Sequence, residues 1–424
     1  MTLIKTSLLN AIAVAIKMLT LLGINKVLAI YVGPAGYAAL GQFQNAIQMV
    51  TTFASGAINT GVTKYTAEYY DDESKQQSVW RTAGTIAVIG SSITAIVVTL
   101  FNQPLALLVF KNRAYGGVFI WLAVSLIFLS YNTLLLAILN GKKEVGFYVV
   151  ANIAGSCFSF LFTTVMVVSW GLYGALVSMA TYQAVSFFIT ILVCRKMHWF
   201  RIGNLFGRTD KGVVINLFKY AAMALTSAVC GPVSHMLVRG YLGEKFGWEA
   251  AGYWEAMWRL SGAYLLLVTT TLSVYYLPRL SEIKNPIDIK SEILKGYQVI
   301  LPVVMICGIL MYVLKDYIII TLFSEEFLFV RSLFGWQVIG DVLKIGSWIL
   351  AFVMLSKSLV ALYIFSEVFF SLLFVLATMF FSERLGVVGS VVSHALVYLL
   401  YWMFIAYFLL TRYFPKFQGG ANVQ

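Results

Sequence analysis

The sequence predicts an all-α integral membrane protein of about twelve transmembrane helices, arranged as two six-helix lobes around a central cavity. Three observations lead there. Of 424 residues, 60% are hydrophobic and 11% charged, against roughly a quarter charged in a soluble domain, so lipid must solvate most of the surface. Apolar runs of span length recur from one end of the chain to the other. Several of these runs carry polar side chains along one side, which points to water between helices.

A helical span takes about 20 mostly apolar residues. Candidate spans run over 8–32, 37–60, 82–104, 115–139, 147–169 and 171–194, then 216–240, 250–277, 296–323, 328–355, 358–381 and 385–411. The N-terminal run is too long and too polar for a cleavable leader and no small-residue cleavage site follows, so it is read as the first retained span. Even-numbered loops and the two tails hold 18 Lys and Arg, and odd-numbered loops hold 6. By the positive-inside rule both termini then lie in the cytoplasm. The formal net charge of +12 is thereby explained by orientation and anionic lipid, and nucleic acid is not an expected partner.

The longest loop, the basic stretch around 201–215, reads as a cytoplasmic linker between an N-terminal lobe, 1–200, and a C-terminal lobe, 216–424. Six spans per lobe relate the lobes by an axis along the membrane normal. A faint internal echo agrees: Ala35-Gly36-Tyr37 precedes Lys64 much as Ala251-Gly252-Tyr253 precedes Arg279.

The informative residues are those that lipid rejects. Lys17, Lys26, Lys219, Glu255, Arg259, Asp341, Lys344 and Glu367 fall within spans. Facing lipid, the eight would cost on the order of 20 kcal/mol, so they must pair, snorkel or line water. In the second span Gln44, Gln48, Thr51, Ser55 and Asn59 recur at helical spacing, within about 80° of one another. Shorter polar faces occur in the first span (Asn10, Lys17, Thr20), the seventh (Asn216, Lys219, Thr226) and the eighth (Glu255, Arg259, Thr270, Ser273). Isolated interhelical hydrogen bonds explain single polar residues, but the long second-span stripe favours a shared aqueous interior. With five buried bases against three acids, that interior suits an anionic substrate and disfavours a cationic drug.

Two readings stay open for several residues. Lys26 and Lys219 lie near span ends and either snorkel or face the cavity. Glu255 with Arg259, at i, i+4, and Asp341 with Lys344, at i, i+3, are either self-contained pairs or functional groups. Glu367 has no basic neighbour within a turn, which fits either a proton-coupling carboxylate or a protonated structural one. His394 is read as a hydrogen-bonded core histidine.

The four cysteines sit in apolar runs with no metal spacing, and the three histidines are scattered. There is no phosphate-loop, H-E-x-x-H or G-x-S-x-G sequence, and no long outside loop to hold a sugar acceptor. The chain is therefore expected to be a transporter rather than an enzyme, with no cofactor and no metal. A membrane-embedded glycan polymerase or ligase, and a cation-coupled multidrug exporter, are the rival readings.

Four segments carry a resemblance: VGPAG at 32–36, GVTKY at 61–65, FLFVRSLFG at 327–335 and WQVIGDVLKIG at 336–346. Through them and over nearly its full length the chain resembles the Wzx-type O-antigen and lipid III flippases of the multidrug/oligosaccharidyl-lipid/polysaccharide exporter superfamily. The resemblance implies a cavity lined mainly by spans one, two, seven and eight. It also implies transfer of an undecaprenyl-pyrophosphate-linked oligosaccharide across a bacterial inner membrane by alternating access. Implied partners are that lipid-linked glycan, membrane lipid, a proton or sodium ion, a polysaccharide polymerase and a chain-length regulator. Lys17, Lys26, Lys64, Lys219, Asp341 and Lys344 look shared with the family, whereas Glu255 and Arg259 depart from it and favour an O-antigen unit as cargo. On this reading Lys17, Lys26, Lys219 and Arg259 hold pyrophosphate, the second-span stripe holds glycan, and Lys64, Glu255, Asp341, Lys344 and Glu367 serve coupling or gating.

Overall fold

The computed structural model describes residues 3–283, 285–357 and 359–414, and among these it is helical without a strand. Seven helices come first: α1 (Leu3–Ser55), α2 (Asn59–Glu68), α3 (Glu73–Leu100), α4 (Asn102–Phe110), α5 (Gly116–Gly141), α6 (Val145–Cys194) and α7 (Lys211–Phe246). Then follow α8 (Trp248–Thr271), α9 (Leu277–Glu282), α10 (Pro286–Val313), α11 (Lys315–Leu322), α12 (Phe334–Ser356), α13 (Val360–Leu385) and α14 (Val388–Phe408).

Eight helices among the described residues are long and apolar enough to cross a membrane. Two of them, α1 with 53 residues and α6 with 50, each run through two expected spans. A straight helix of that length would measure roughly 80 Å against a hydrocarbon core of about 30 Å, so each must turn. The turns fall where the sequence places span ends: Gly33 has φ 68° and ψ −178°, and Gly171 has φ 54° and ψ −134°. A side chain at either position would strain the backbone, since a positive φ is freely open only to glycine. The charges of α8 lower its hydropathy and keep it out of the eight. The ninth expected span is displaced: α10 starts at Pro286, ten residues early, and stops at Val313. Asn285 caps it, its side chain accepting from the Ile287 amide at 3.0 Å. The tenth expected span begins late, at Phe334, because residues 325–332 form a 3₁₀ turn.

By internal packing the chain divides into two compact units, Met1–Met236 and Leu237–Gln424. The division falls inside α7, downstream of the basic stretch around 201–215. That stretch is bound to α3: Arg81 Nη2 donates to Asn204 Oδ1 at 3.1 Å, Thr85 exchanges hydrogen bonds with the Gly207 backbone, and the Asp210 amide donates to Thr82 Oγ1 at 3.1 Å. The first unit's core gathers Val62, Val79, Trp80, Leu135, Ile138, Trp199, Leu205 and Leu217. Gly84 permits the approach, because a Cβ there would stand 1.5 Å from the Leu205 carbonyl oxygen.

In the second unit α12 packs on α10 and α14, and α13 on α14. Glycine again sets the distance: a Cβ at Gly340 would meet the His394 ring at 2.2 Å, and one at Gly346 the Trp402 ring at 2.8 Å. A π-helical turn at Leu272–Tyr276 joins α8 to α9.

Candidate functional site

In the first unit the C-terminal half of α1 presents the predicted stripe in shortened form. Gln44 and Gln48 are exposed, Thr51 is half-buried and donates to the Gln48 carbonyl at 3.2 Å, and Ser55 is buried against the Thr52 carbonyl. The helical phase then ends. Gly56 and Ala57 adopt φ 66° and 55°, and Asn59 is the first residue of α2. Asn59 thus departs from the stripe, because two left-handed residues re-aim the chain before it. Gln42, not predicted, turns inward and donates to the Met236 carbonyl at 3.1 Å.

Of the predicted cations in this unit, Lys17 is exposed and Lys26 half-buried. Lys64 is exposed on α2, 3.9 Å from Glu68 and over the Tyr65 ring. A pair that exposed contributes about 0–1 kcal/mol. Lys17, counted from sequence among the buried bases, is thus accessible. The side chains of Lys219, Asn10 and Asn216 lie outside the described residues.

The second unit holds two charged clusters. In the first, Glu255 is shared between two guanidiniums. Arg239 Nη2 meets Glu255 Oε2 at 2.5 Å, and Arg259 Nε meets Glu255 Oε1 at 2.8 Å. The expected pair of Glu255 with Arg259 is therefore a triad of net charge +1. Its third member, Arg239, is 1% exposed, inside α7 and packed against the Trp254 ring. The place of Arg239 within the expected span 216–240 was the signal available in sequence. α7 itself runs six residues past the expected end at 240. Thr270 and Ser273, expected to extend the polar face of α8, instead return their hydroxyls to the carbonyls of Leu266 and Thr269.

The second cluster is built around Asp341, which is fully buried on α12. Its Oδ2 accepts from Ser261 Oγ at 2.5 Å and Tyr264 Oη at 2.6 Å, both on α8. Its Oδ1 accepts from Gln337 Nε2 at 3.2 Å and faces His394 Nε2 of α14 at 3.3 Å. Of the two readings left open for Asp341 and Lys344, the self-contained pair gives way to this ring of donors. Lys344 Nζ lies instead over three rings, 4.9 Å from Trp258, 4.9 Å from Trp348 and 5.9 Å from Tyr398. A desolvated ammonium gains about 2 kcal/mol from such faces. Tyr264, Ser261 and Gln337 were missed; only Gln337, one turn before Asp341, could have been found by spacing.

Glu367 on α13 is half-buried, with Tyr398 and Tyr401 in electrostatic range. Among the described residues, no group of three or more His, Cys, Asp or Glu side chains gathers where a metal ion could be held.

Comparison with known proteins adds a family and a fold. A family described as polysaccharide biosynthesis protein matches residues 3–284. The chain is 30% identical to the lipid III flippase of Escherichia coli K12 over 403 residues, 95% of this chain and 97% of that one, and the Shigella flexneri lipid III flippase matches equally. Among solved structures, an inward-facing multidrug-resistance MATE family transporter of the MOP superfamily superimposes with a TM-score of 0.73 at 13% identity, covering 93% of this chain and 96% of that one. A MOP superfamily transporter from Pyrococcus furiosus gives 0.61 at 13% identity, covering 95% of each chain. At such identity these structures speak for the fold alone, which is that of the MOP transporters.

Proposed function

The chain belongs to the polysaccharide biosynthesis protein family, and from that premise we propose that it flips a lipid-linked oligosaccharide across the bacterial inner membrane. The cargo is an undecaprenyl-pyrophosphate-linked repeat unit, of O-antigen or enterobacterial common antigen type. It passes from the cytoplasmic to the periplasmic leaflet by alternating access, driven by an ion gradient, with both termini of the protein in the cytoplasm. Relatives named as flippases, matched over nearly the whole chain, support this reading over catalysis.

The physical problem is a charged, hydroxyl-rich head group that hydrocarbon rejects. Gln44, Gln48 and Thr51 offer amide and hydroxyl groups that exchange hydrogen bonds with sugars. Lys17 of the first unit and Arg259 of the second each offer a cation of the kind that attracts diphosphate. The carrying observation is the Arg239–Glu255–Arg259 triad, in which one carboxylate answers two guanidiniums. Arg239 is sealed off, whereas the Arg259 side chain keeps 16% of its surface open, so a guanidinium reaches the accessible surface there. A cationic drug would be repelled there, which disfavours multidrug export.

The test is complementation of a flippase-deficient strain. Charge reversal by Lys17→Glu and by Arg259→Glu abolishes surface glycan on this reading, with inserted protein at normal abundance. Normal glycan display in both variants would remove these residues from substrate binding.

A further inference from the structure

Among the described residues, two acceptor atoms at the Asp341 cluster have no hydrogen-bond partner although fully enclosed: His394 Nδ1 and Gln337 Oε1. Buried acceptors of this kind are rare and call for an explanation. His394 is entirely buried. With Nε2–H donating to Asp341, its Nδ1 keeps a bare lone pair among the rings of Trp258, Phe374 and Tyr398. That lone pair is a place for a proton and for little else. The glycine at 340 makes the seat, since any Cβ there would overlap the imidazole.

We propose that His394, held by Asp341, is a proton-binding site of the second unit, and that the ion coupled to transport is a proton and not an alkali cation. This inference rests on the flippase reading and names its driving ion. At Asp341 the carboxylate geometry leaves no position for a metal ion. Asp341 offers roughly four lone-pair positions, and Ser261, Tyr264, Gln337 and His394 each aim a hydrogen at one of them. A sodium ion would have to displace a donor and lie against the hydrogens of the rest. A proton on His394 Nδ1 needs no rearrangement and converts the contact with Asp341 into an ion pair.

The charged surroundings define what the proton does. From α12 come Asp341 and Lys344; from α8 Tyr264, with Glu255 and Arg259 engaged in their own triad; from α13 Glu367, in range of Tyr398 and Tyr401; and from α14 Tyr398 itself. Lys344 and His394 share two rings. The ammonium lies 4.9 Å from Trp258 and 5.9 Å from Tyr398, while the imidazole centroid is 4.8 and 4.9 Å from the same rings. Protonating His394 puts a second cation against rings that already hold one. The proton therefore weakens the seat of Lys344, giving α8, α12 and α14 two charge-dependent arrangements, which is what coupling requires.

The test has two arms on the full-length protein in lipid. With His198 and His235 replaced by glutamine and histidine 15N-labelled, the imidazole of His394 is followed by NMR from roughly pH 5 to 9, a range that brackets ordinary imidazole titration, with and without sodium chloride. A pH-dependent shift that sodium leaves unchanged is expected; no titration, or a resonance moved by sodium but not by an equal concentration of choline chloride, overturns the site. In the second arm, flipping of a fluorescent lipid-linked oligosaccharide is measured in vesicles with and without a proton gradient, and the ratio of the two rates is read. The ratio exceeds one for the wild type and falls to one for His394→Gln. A ratio that survives in His394→Gln refutes the coupling role. If the wild-type protein flips nothing, the flippase reading fails, and the NMR arm by itself decides the proton site.

Discussion

Replacing Glu255 with glutamine takes away the carboxylate shared by two guanidiniums and leaves Arg239, 1% exposed, without its counter-charge. At 2.8 Å and an effective dielectric of 20, the Arg259 contact alone corresponds to ~6 kcal/mol of attraction. Desolvation of the three ions opposes most of that, so the net loss on removing one partner is about 3–5 kcal/mol. The two arginines then also repel each other. The assay is reversible unfolding of the full chain in mixed micelles by added sodium dodecyl sulfate, read by tryptophan fluorescence, since Trp254 and Trp258 flank the triad. A second variant separates charge from shape. Joint replacement Arg239→Met and Glu255→Met recovers most of the loss, because apolar groups of similar volume substitute well for a buried pair. Arg259, partly open, then keeps its head group in contact with polar surroundings. A loss below about 1 kcal/mol for Glu255→Gln, smaller than that expected of a buried pair, would refute the reasoning, since Glu255 would then not be what neutralises the buried guanidinium.

Further outcomes follow from packing and titration. Gly84→Ala drives a methyl into the Leu205 carbonyl, costs about 1–3 kcal/mol, and loosens the 199–210 stretch from α3; faster tryptic cleavage at Arg201 and Arg208 in inverted vesicles reads it. Gly171→Ala meets no neighbouring atom but must hold φ 54°, so it costs about 1–2 kcal/mol through backbone strain alone. Lys357, in the turn between α12 and α13, donates to the carbonyls of Leu280 and Ile283, and burial pushes its ammonium below the usual lysine range. The unfolded chain then binds more protons between that lowered value and about 10.4, so stability rises with pH across this window. Lys357→Met flattens the rise in unfolding free energy measured between pH 8 and 10.

Much of the architecture was legible from hydropathy because a bilayer leaves the backbone few choices. Each span must satisfy its own hydrogen bonds, so apolar runs map onto helices, and the turns at Gly33 and Gly171 fall where the runs divide. Local spacing was a poorer guide to charge. Asp341 and Lys344 stand one turn apart and read as a pair, yet the carboxylate takes donors 80 and 53 positions away, from Ser261 and His394, and the ammonium takes aromatic faces. Spacing along a helix says which groups can meet; it does not say which of them a neighbouring helix satisfies first.

What the sequence determined by itself is the solvent, the helical class, and the presence of charges that lipid would expel. Which charges neutralise one another was decided by tertiary structure. Arg239 becomes a member of a triad only because α7 and α8 bring it against Glu255, 16 positions on. His394 reaches Asp341 only because Gly340 carries no side chain. Burial energy depends on every atom around a charge, and those atoms come from parts of the chain that no local pattern connects.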